Sequence, residues 1–307
     1  MKIYSSAAEL VGNTPLLRLN NIERELNLAA KLVAKVESFN PAGSVKDRVA
    51  LNMLDKAERE GKLNSDTVII EATSGNTGIG LASVCAARGY KLIIVMPDTM
   101  SKERRLLLEL LGAELILTDG SLGMSGAIDK AESLHKEYKN SIIAGQFTNP
   151  ANPEAHYKTT GPEIYRDTDG EIDYFVAGVG TGGTISGVGK YLKEKNADIK
   201  IVAVEPENSA VLSGKPSGAH KLQGIGAGFV PDVLDTGIYD EIIPVSDEAA
   251  YSMAKLLGKK EGILCGISAG AALYAATEIT KRDNMKDKTI VVLLPDTGDR
   301  YLTLLSE

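Results

Sequence analysis

The chain reads as an α/β protein of two lobes, each built on a mostly parallel sheet flanked by helices. Three observations predict this. From Val68 onward, short β-branched runs alternate with longer amphipathic segments, the pattern of successive βαβ units. A turn-rich stretch, Gln146-Phe147-Thr148-Asn149-Pro150-Ala151-Asn152-Pro153, interrupts that series and marks a lobe boundary. At 307 residues, 43% hydrophobic and 24% charged, the chain is long enough for two packed lobes facing a cleft.

Before the boundary, Val68–Ala72, Lys91–Met96 and Glu114–Leu117 read as strands, with helices over Gly78–Arg88, Lys102–Leu111 and Met124–Tyr138 between and after them. Lys31–Val36 reads as a further strand whose pattern is compatible with either lobe. After the boundary come a strand at Tyr174–Gly178, a helix after Gly183, a strand at Ile201–Val204, a helix from Asp247 and a closing strand at Thr289–Pro295. No long internal repeat or low-complexity segment is visible.

The formal charge is -7, without the basic run or basic and aromatic interleaving that would track a phosphate backbone, so nucleic acid is not an expected partner. No apolar run is long enough to span a bilayer and the first residues lack a secretory pattern, so the expected location is the cytoplasm. Cys85 and Cys265 read as separate buried thiols. His135, His156 and His220 have neither metal-ligand spacing nor local partners for a catalytic triad and read as surface or structural residues.

The chemical signals lie at strand ends, where open α/β sheets present their ligands. Thr73-Ser74-Gly75-Asn76-Thr77-Gly78 follows a strand and precedes a helix, so hydroxyls and backbone N–H groups converge at a positive helix terminus suited to a carboxylate. The competing role is ordinary helix capping, which needs only one such residue where four are present. Gly178-Val179-Gly180-Thr181-Gly182-Gly183-Thr184 forms a second such turn, suited to a phosphate. It also matches the dinucleotide pattern at Gly178, Gly180 and Gly183, with Glu205 where a ribose-binding acid would stand, so a nicotinamide-dependent oxidoreductase is the rival from another class. Ser268, in Cys265-Gly266-Ile267-Ser268-Ala269-Gly270, opens an alanine-rich helix and is equally compatible with an N-cap.

Lys46 lies in Asn40-Pro41-Ala42-Gly43-Ser44-Val45-Lys46-Asp47-Arg48, which leads into a helical stretch. That puts a cation in a first turn, where the helix dipole disfavours it. Conversion to an imine or a nearby phosphate would relieve the conflict. A tolerated lysine offset by Asp47 accounts for the same pattern.

Taken in order, these segments resemble the fold-type II pyridoxal-phosphate enzymes, which have the tryptophan synthase β-like fold, and within them the cysteine synthase (O-acetylserine sulfhydrylase) family most closely. The resemblance spans nearly the whole chain, from Val11-Gly12-Asn13-Thr14-Pro15-Leu16 through the Lys46, Thr73 and Gly180 motifs to Gln223-Gly224-Ile225-Gly226-Ala227-Gly228-Phe229-Val230-Pro231 and Leu294-Pro295-Asp296-Thr297-Gly298-Asp299-Arg300-Tyr301. It implies a smaller mobile lobe at residues 37–148 and a larger one, binding the cofactor phosphate, at 1–36 with 149–307. It implies pyridoxal 5'-phosphate joined to Lys46, its phenolic oxygen bonded by Asn76 and its phosphate held by Gly180, Thr181, Gly182, Gly183 and Thr184. Ser268 would face the pyridine nitrogen, a neutral partner that leaves the ring a weaker electron sink and favours elimination at the β carbon over transamination. Thr73, Ser74, Gly75 and Thr77, with Gln146, would bind the substrate carboxylate, and Gly224 would belong to the loop facing the amino group. No metal is implied.

The implied reaction is β-replacement. O-acetyl-L-serine displaces Lys46, the freed amine takes the α proton, acetate leaves, and sulfide attacks the resulting α-aminoacrylate to give L-cysteine. Closure of the first lobe would keep water from that electrophile. Cystathionine β-synthase and O-phosphoserine sulfhydrylase share much of the scaffold and are the alternatives within the family. The chain ends soon after its last strand, so no C-terminal regulatory domain is expected. The resemblance also implies a homodimer and docking of the C-terminal tail of serine acetyltransferase.

Overall fold

The computed structural model describes residues 3–306. Residues 1, 2 and 307, which the expected larger lobe includes, lie outside the described residues. By contact the chain divides into two compact units, residues 1–11 with 40–152 and residues 12–39 with 153–307. The first residues therefore group with the smaller unit, where the expected division put them with the larger. The 3-10 turn Ala7–Leu10 packs on a helix of that unit, which accounts for the difference.

The larger unit begins with β1 (Leu16–Arg18), α1 (Asn20–Glu25) and β2 (Lys31–Val36). The chain then builds the smaller unit from α2 (Lys46–Arg59), β3 (Val68–Ala72), α3 (Asn76–Arg88), β4 (Lys91–Pro97), α4 (Lys102–Leu110), β5 (Glu114–Thr118), α5 (Gly123–Glu137) and β6 (Ser141–Ile143). Its four strands are all parallel, in the order β5-β4-β3-β6. Beyond its first residue β4 is buried on both faces, as a central parallel strand covered by helices must be. Gly89, at φ +74°, closes α3 in the left-handed conformation that ends many helices.

The turn-rich connector is shorter than expected, because Asn149 Oδ1 accepts from the Ala151 N–H and a short helix, α6 (Ala151–Ala155), starts within it. A π-helical turn, His156–Thr160, and α7 (Gly161–Asp167) follow directly. The larger unit is completed by β7 (Tyr174–Gly178), α8 (Gly183–Lys195), β8 (Lys200–Pro206), β9 (Glu241–Val245), α9 (Asp247–Glu261), α10 (Ile267–Thr280) and β10 (Thr289–Leu294). Its sheet runs β1-β2-β10-β7-β8-β9, with only β1 antiparallel to its neighbour. Lys31–Val36, undecided from pattern, thus belongs to this sheet beside β10. β9 carries Pro244, which an edge position tolerates.

The helices follow ordinary rules. Ser246 Oγ caps α9 by accepting from the Ala249 N–H, acids fill its first turn, and Lys259 and Lys260 its last. α10 is buried almost all round, which its run of alanine and glycine permits. A buried polar cluster sits at the end of β2. The Lys35 ammonium, fully buried, donates to Glu163 at 2.8 Å and to the Thr14 carbonyl at 2.6 Å. Glu163 also accepts from the Asn13 N–H at 2.9 Å, and the Thr14 hydroxyl donates to Glu37 at 2.7 Å. These bonds fix the Gly12–Pro15 segment to the larger unit.

Both cysteines are buried thiols, and burial pushes the Cys85 thiol up to about 12 and raises that of Cys265 as well. His135 is exposed beside Ser141, and the His220 ring meets the Gly226 carbonyl at 3.1 Å. Among the described residues no helix is long and apolar enough to cross a membrane, and no group of His, Cys, Asp or Glu could hold a metal ion.

Candidate active site

In the smaller unit the turn after β3 leads into α3 through Gly75, which stands at the N-cap and contributes no side chain. The hydroxyls around it therefore do not cap the helix, the competing role for this turn. Thr73 Oγ1 accepts from the Gly75 N–H at 3.2 Å and so shapes the turn itself. Thr77, in the first turn of α3 beside Asn76, donates its hydroxyl proton to Gln146 Oε1 at 2.5 Å. The Ser74 carbonyl accepts from the Arg104 guanidinium at 2.7 Å, and the Gln146 carbonyl from the Asn152 amide at 2.8 Å. Thr73, Thr77 and Gln146 are buried, while Ser74, Gly75 and Asn76 stay partly exposed at the positive end of α3. This arrangement can receive a carboxylate.

Glu71, two residues before this turn, was not singled out by pattern, although a lone acid in the apolar strand Val68-Ile69-Ile70-Glu71-Ala72 is a detectable signal. It is buried and accepts from the Gly145 N–H at 2.7 Å and the Gln146 N–H at 3.4 Å, fixing the turn that carries Gln146. Gly145, at φ +70°, makes that turn possible. Burial raises the Glu71 carboxyl from its usual 4.5 to about 7, against the backbone hydrogen bonds from Gly145 and Gln146 that lower it. The folded state thus holds a proton that the unfolded chain has released, and Glu71 makes stability fall as pH rises from about 4.5 to about 7. The whole effect is roughly 3 kcal/mol. Glu71→Gln, which mimics the protonated form, should gain stability relative to the parent by up to about that amount between about pH 5 and about pH 8, as read from urea midpoints. An unchanged difference between parent and variant across that range would show that Glu71 does not titrate there.

Lys46 is the first residue of α2, whose N-cap, Val45, provides no side-chain cap. Its N–H donates to Ser44 Oγ at 3.2 Å, and its side chain is half-buried. Asp47, which could have offset the lysine charge, accepts from the Ala42 N–H at 2.6 Å and the Ser44 hydroxyl at 3.4 Å. A Cβ on Gly80 would lie 2.9 Å from the Lys46 carbonyl oxygen, so the start of α2 lies directly against α3. Lys46, the 73–77 turn and Gln146 are all carried by the smaller unit.

In the larger unit, β7 ends at Gly178 and α8 begins at Gly183. Gly182 serves as N-cap at φ +84°, a conformation that favours glycine. Thr181 and Thr184 are buried at that helix start. A Cβ on Gly180 would fall 2.3 Å from the Gly224 carbonyl oxygen, and one on Gly224 would come within 3.6 Å of Ser268 Oγ. Gly180–Thr184, Gly224 and Ser268 therefore converge. Ser268 is the second residue of α10, behind an N-cap at Gly266, so the competing capping role is not the one it has. Glu205, the candidate ribose acid, accepts from the Leu212 N–H, the Ser213 N–H and the Ser213 hydroxyl, and so holds a loop. The dinucleotide reading loses its acid.

A bare backbone turn at one helix start, beside a neutral hydroxyl at another, defines a class before it defines a substrate. Residues 7–296 match the pyridoxal-phosphate-dependent enzyme family, and the chain belongs to that family. Its cofactor is pyridoxal phosphate. The chain is 54% identical over 303 residues to the cysteine synthase of Staphylococcus aureus, covering 98% of this chain and 96% of that one. Among solved structures, the cysteine synthase of Entamoeba histolytica superimposes with a TM-score of 0.95 at 46% identity, over 98% of this chain and 90% of that one. A hydrogen sulfide-producing enzyme of Fusobacterium nucleatum does so with a TM-score of 0.93 at 49% identity, over 97% of this chain and all of that one. The residues present fit the cofactor. The glycine-lined start of α8 admits a phosphate close to backbone N–H groups, and the buried Ser268 hydroxyl can meet a ring nitrogen without charging it.

Proposed function

We propose that the chain is a cysteine synthase, replacing the acetoxy group of O-acetyl-L-serine with sulfide to give L-cysteine and acetate. The observation that carries this reading is the convergence of the Gly180–Thr184 turn, Gly224 and Ser268 in the larger unit. The cysteine synthases of S. aureus and E. histolytica support the choice of substrates.

When bound, pyridoxal phosphate supplies a ring that withdraws electrons from the substrate's α carbon and so eases departure of a β leaving group. In this reading Gly180, Thr181, Gly182, Gly183 and Thr184 hold its phosphate, Asn76 donates to its phenolic oxygen, and Ser268 faces its ring nitrogen. Lys46 Nζ tethers the cofactor and, once released, takes the proton from the substrate α carbon. Thr73, Ser74, Gly75 and Thr77 bind the substrate carboxylate together with Gln146, whose side chain is already oriented by Thr77. Gly224 faces the substrate amino group. A cytoplasmic homodimer whose active site receives the C-terminal tail of serine acetyltransferase belongs to the same reading.

The test is to supply O-acetyl-L-serine and sulfide to the holoenzyme and measure cysteine, with O-phospho-L-serine and L-serine as competitors. Cysteine formed with O-acetyl-L-serine as the preferred donor is the expected result. Preference for either competitor would reassign the leaving group, and absence of cysteine from all three would contradict β-replacement.

A further inference from the structure

His156 has no place in the roles above, yet it is fully buried and stands directly behind one of the residues that carry them. Its Nδ1 lies 2.9 Å from Thr160 Oγ1 and its Nε2 3.3 Å from Thr184 Oγ1. Thr184 is in the first turn of α8. The backbone carrying the histidine is the π-helical turn His156–Thr160, a rare geometry that concentrates at functional sites. The approach is enforced from the other side as well. A Cβ on Gly187 of α8 would lie 2.1 Å from the Pro153 carbonyl oxygen and 2.7 Å from His156 Cβ, so only glycine lets the two segments meet this closely.

The direction of these hydrogen bonds decides what Thr184 can do. A hydroxyl has one proton, and if Thr184 donates it to the imidazole none is left for a phosphate. If the ring instead carries its proton on Nε2, Nε2–H donates to Thr184 Oγ1 and Nδ1 accepts from the Thr160 hydroxyl. The Thr184 proton is then directed away from the histidine, and each bond in the chain polarises the next. A phosphate, which only accepts from such donors, requires the proton on Nε2, and the full burial of the ring disfavours the doubly protonated form, which leaves that second arrangement.

We propose that His156 is a positioning residue for the cofactor phosphate, held neutral with its proton on Nε2 so that the Thr184 hydroxyl is oriented as a donor. The inference rests on the proposed role of the Gly180–Thr184 turn. It extends the phosphate site one shell outward, to Thr160 and the π-helical turn.

Two measurements on the holoenzyme test it. The first is nitrogen NMR of the parent labelled at histidine, where the chain's three histidines are assigned by substituting His135 and His220. A protonated Nε2 and an unprotonated Nδ1 at His156 are expected, and the opposite tautomer or an imidazolium would overturn the proposal. The second compares pyridoxal phosphate affinity and the phosphorus resonance of the bound cofactor in Thr184→Ala, His156→Phe, His156→Gln and the double variant Thr184→Ala/His156→Phe. Each of the first two should weaken binding about tenfold and move the resonance. The double variant should be no worse than Thr184→Ala alone, and the glutamine amide should recover part of the loss. Additive losses, or a His156→Phe variant that is less stable yet binds the cofactor like the parent, would reduce His156 to a packing role and leave the phosphate reading intact. A Thr184→Ala variant with unchanged affinity and phosphorus resonance would instead sink the phosphate reading, and this inference with it.

Discussion

Replacing Lys46 with alanine should lower cysteine formation by at least about a thousandfold and remove the visible absorption of the tethered cofactor. The loss should not come from unfolding. Lys46 is the first residue of α2, its side chain is only half-buried, and removing a cation from a helix N-terminus while introducing the best helix former favours α2 if anything. Melting temperature should therefore stay within a few degrees of the parent, about what a surface substitution gives. Lys46→Arg separates charge from chemistry, because a guanidinium keeps the positive charge but neither forms the tether nor moves a proton at neutral pH. It should be as inactive as the alanine variant. Activity retained by either variant would mean that another lysine carries the reaction.

The second large effect is on stability and involves Lys35. Its ammonium is fully buried against Glu163, and each side chain has a further backbone partner, the Thr14 carbonyl for Lys35 and the Asn13 N–H for Glu163. Lys35→Met leaves the Glu163 carboxylate buried without its cation, which typically costs about 3–5 kcal/mol. Glu163→Gln, leaving the ammonium, should cost a similar amount. The double variant Lys35→Met/Glu163→Gln should recover a large part of either loss, since a buried pair stabilises far less than its breakage suggests. Urea denaturation of the two single variants and the double variant measures this directly. Strictly additive losses would show that the two groups do not act as a pair.

Much of the fold was legible because its strands are short apolar runs bounded by turns. Val68–Ala72 and Tyr174–Gly178 form as read, and the helices after Gly183 and from Asp247 begin where turn and cap residues put them. β1 and β6 were not legible, since three residues show no period. β9 was hidden by Pro244, which reads as a strand breaker until the strand is known to be an edge. The sheet that receives Lys31–Val36 depends on β10, more than 250 positions further on in sequence, and no local pattern carries that information.

The same distinction holds at the site. The β3–α3 and β7–α8 turns declare themselves through adjacent residues. Glu71, by contrast, acts on Gly145, 74 positions away, and Lys35 meets Glu163 across 128 positions. Lys35 looks like an exposed lysine in an alternating strand, and only its partner explains how it is buried. His156 is a similar case, since its neighbour Thr184 lies 28 positions on and the π-helical turn leaves no recognisable mark in His156-Tyr157-Lys158-Thr159-Thr160. Ser268 was visible as a helix-opening serine, but its proximity to Gly224 was not.

The most direct test of the account is to reduce the holoenzyme with borohydride, digest it and locate the pyridoxyl group by mass spectrometry. A single modified peptide carrying the group on Lys46 is the predicted result. The group on any other lysine, or no covalent label on a fully loaded enzyme, would contradict the account at its centre.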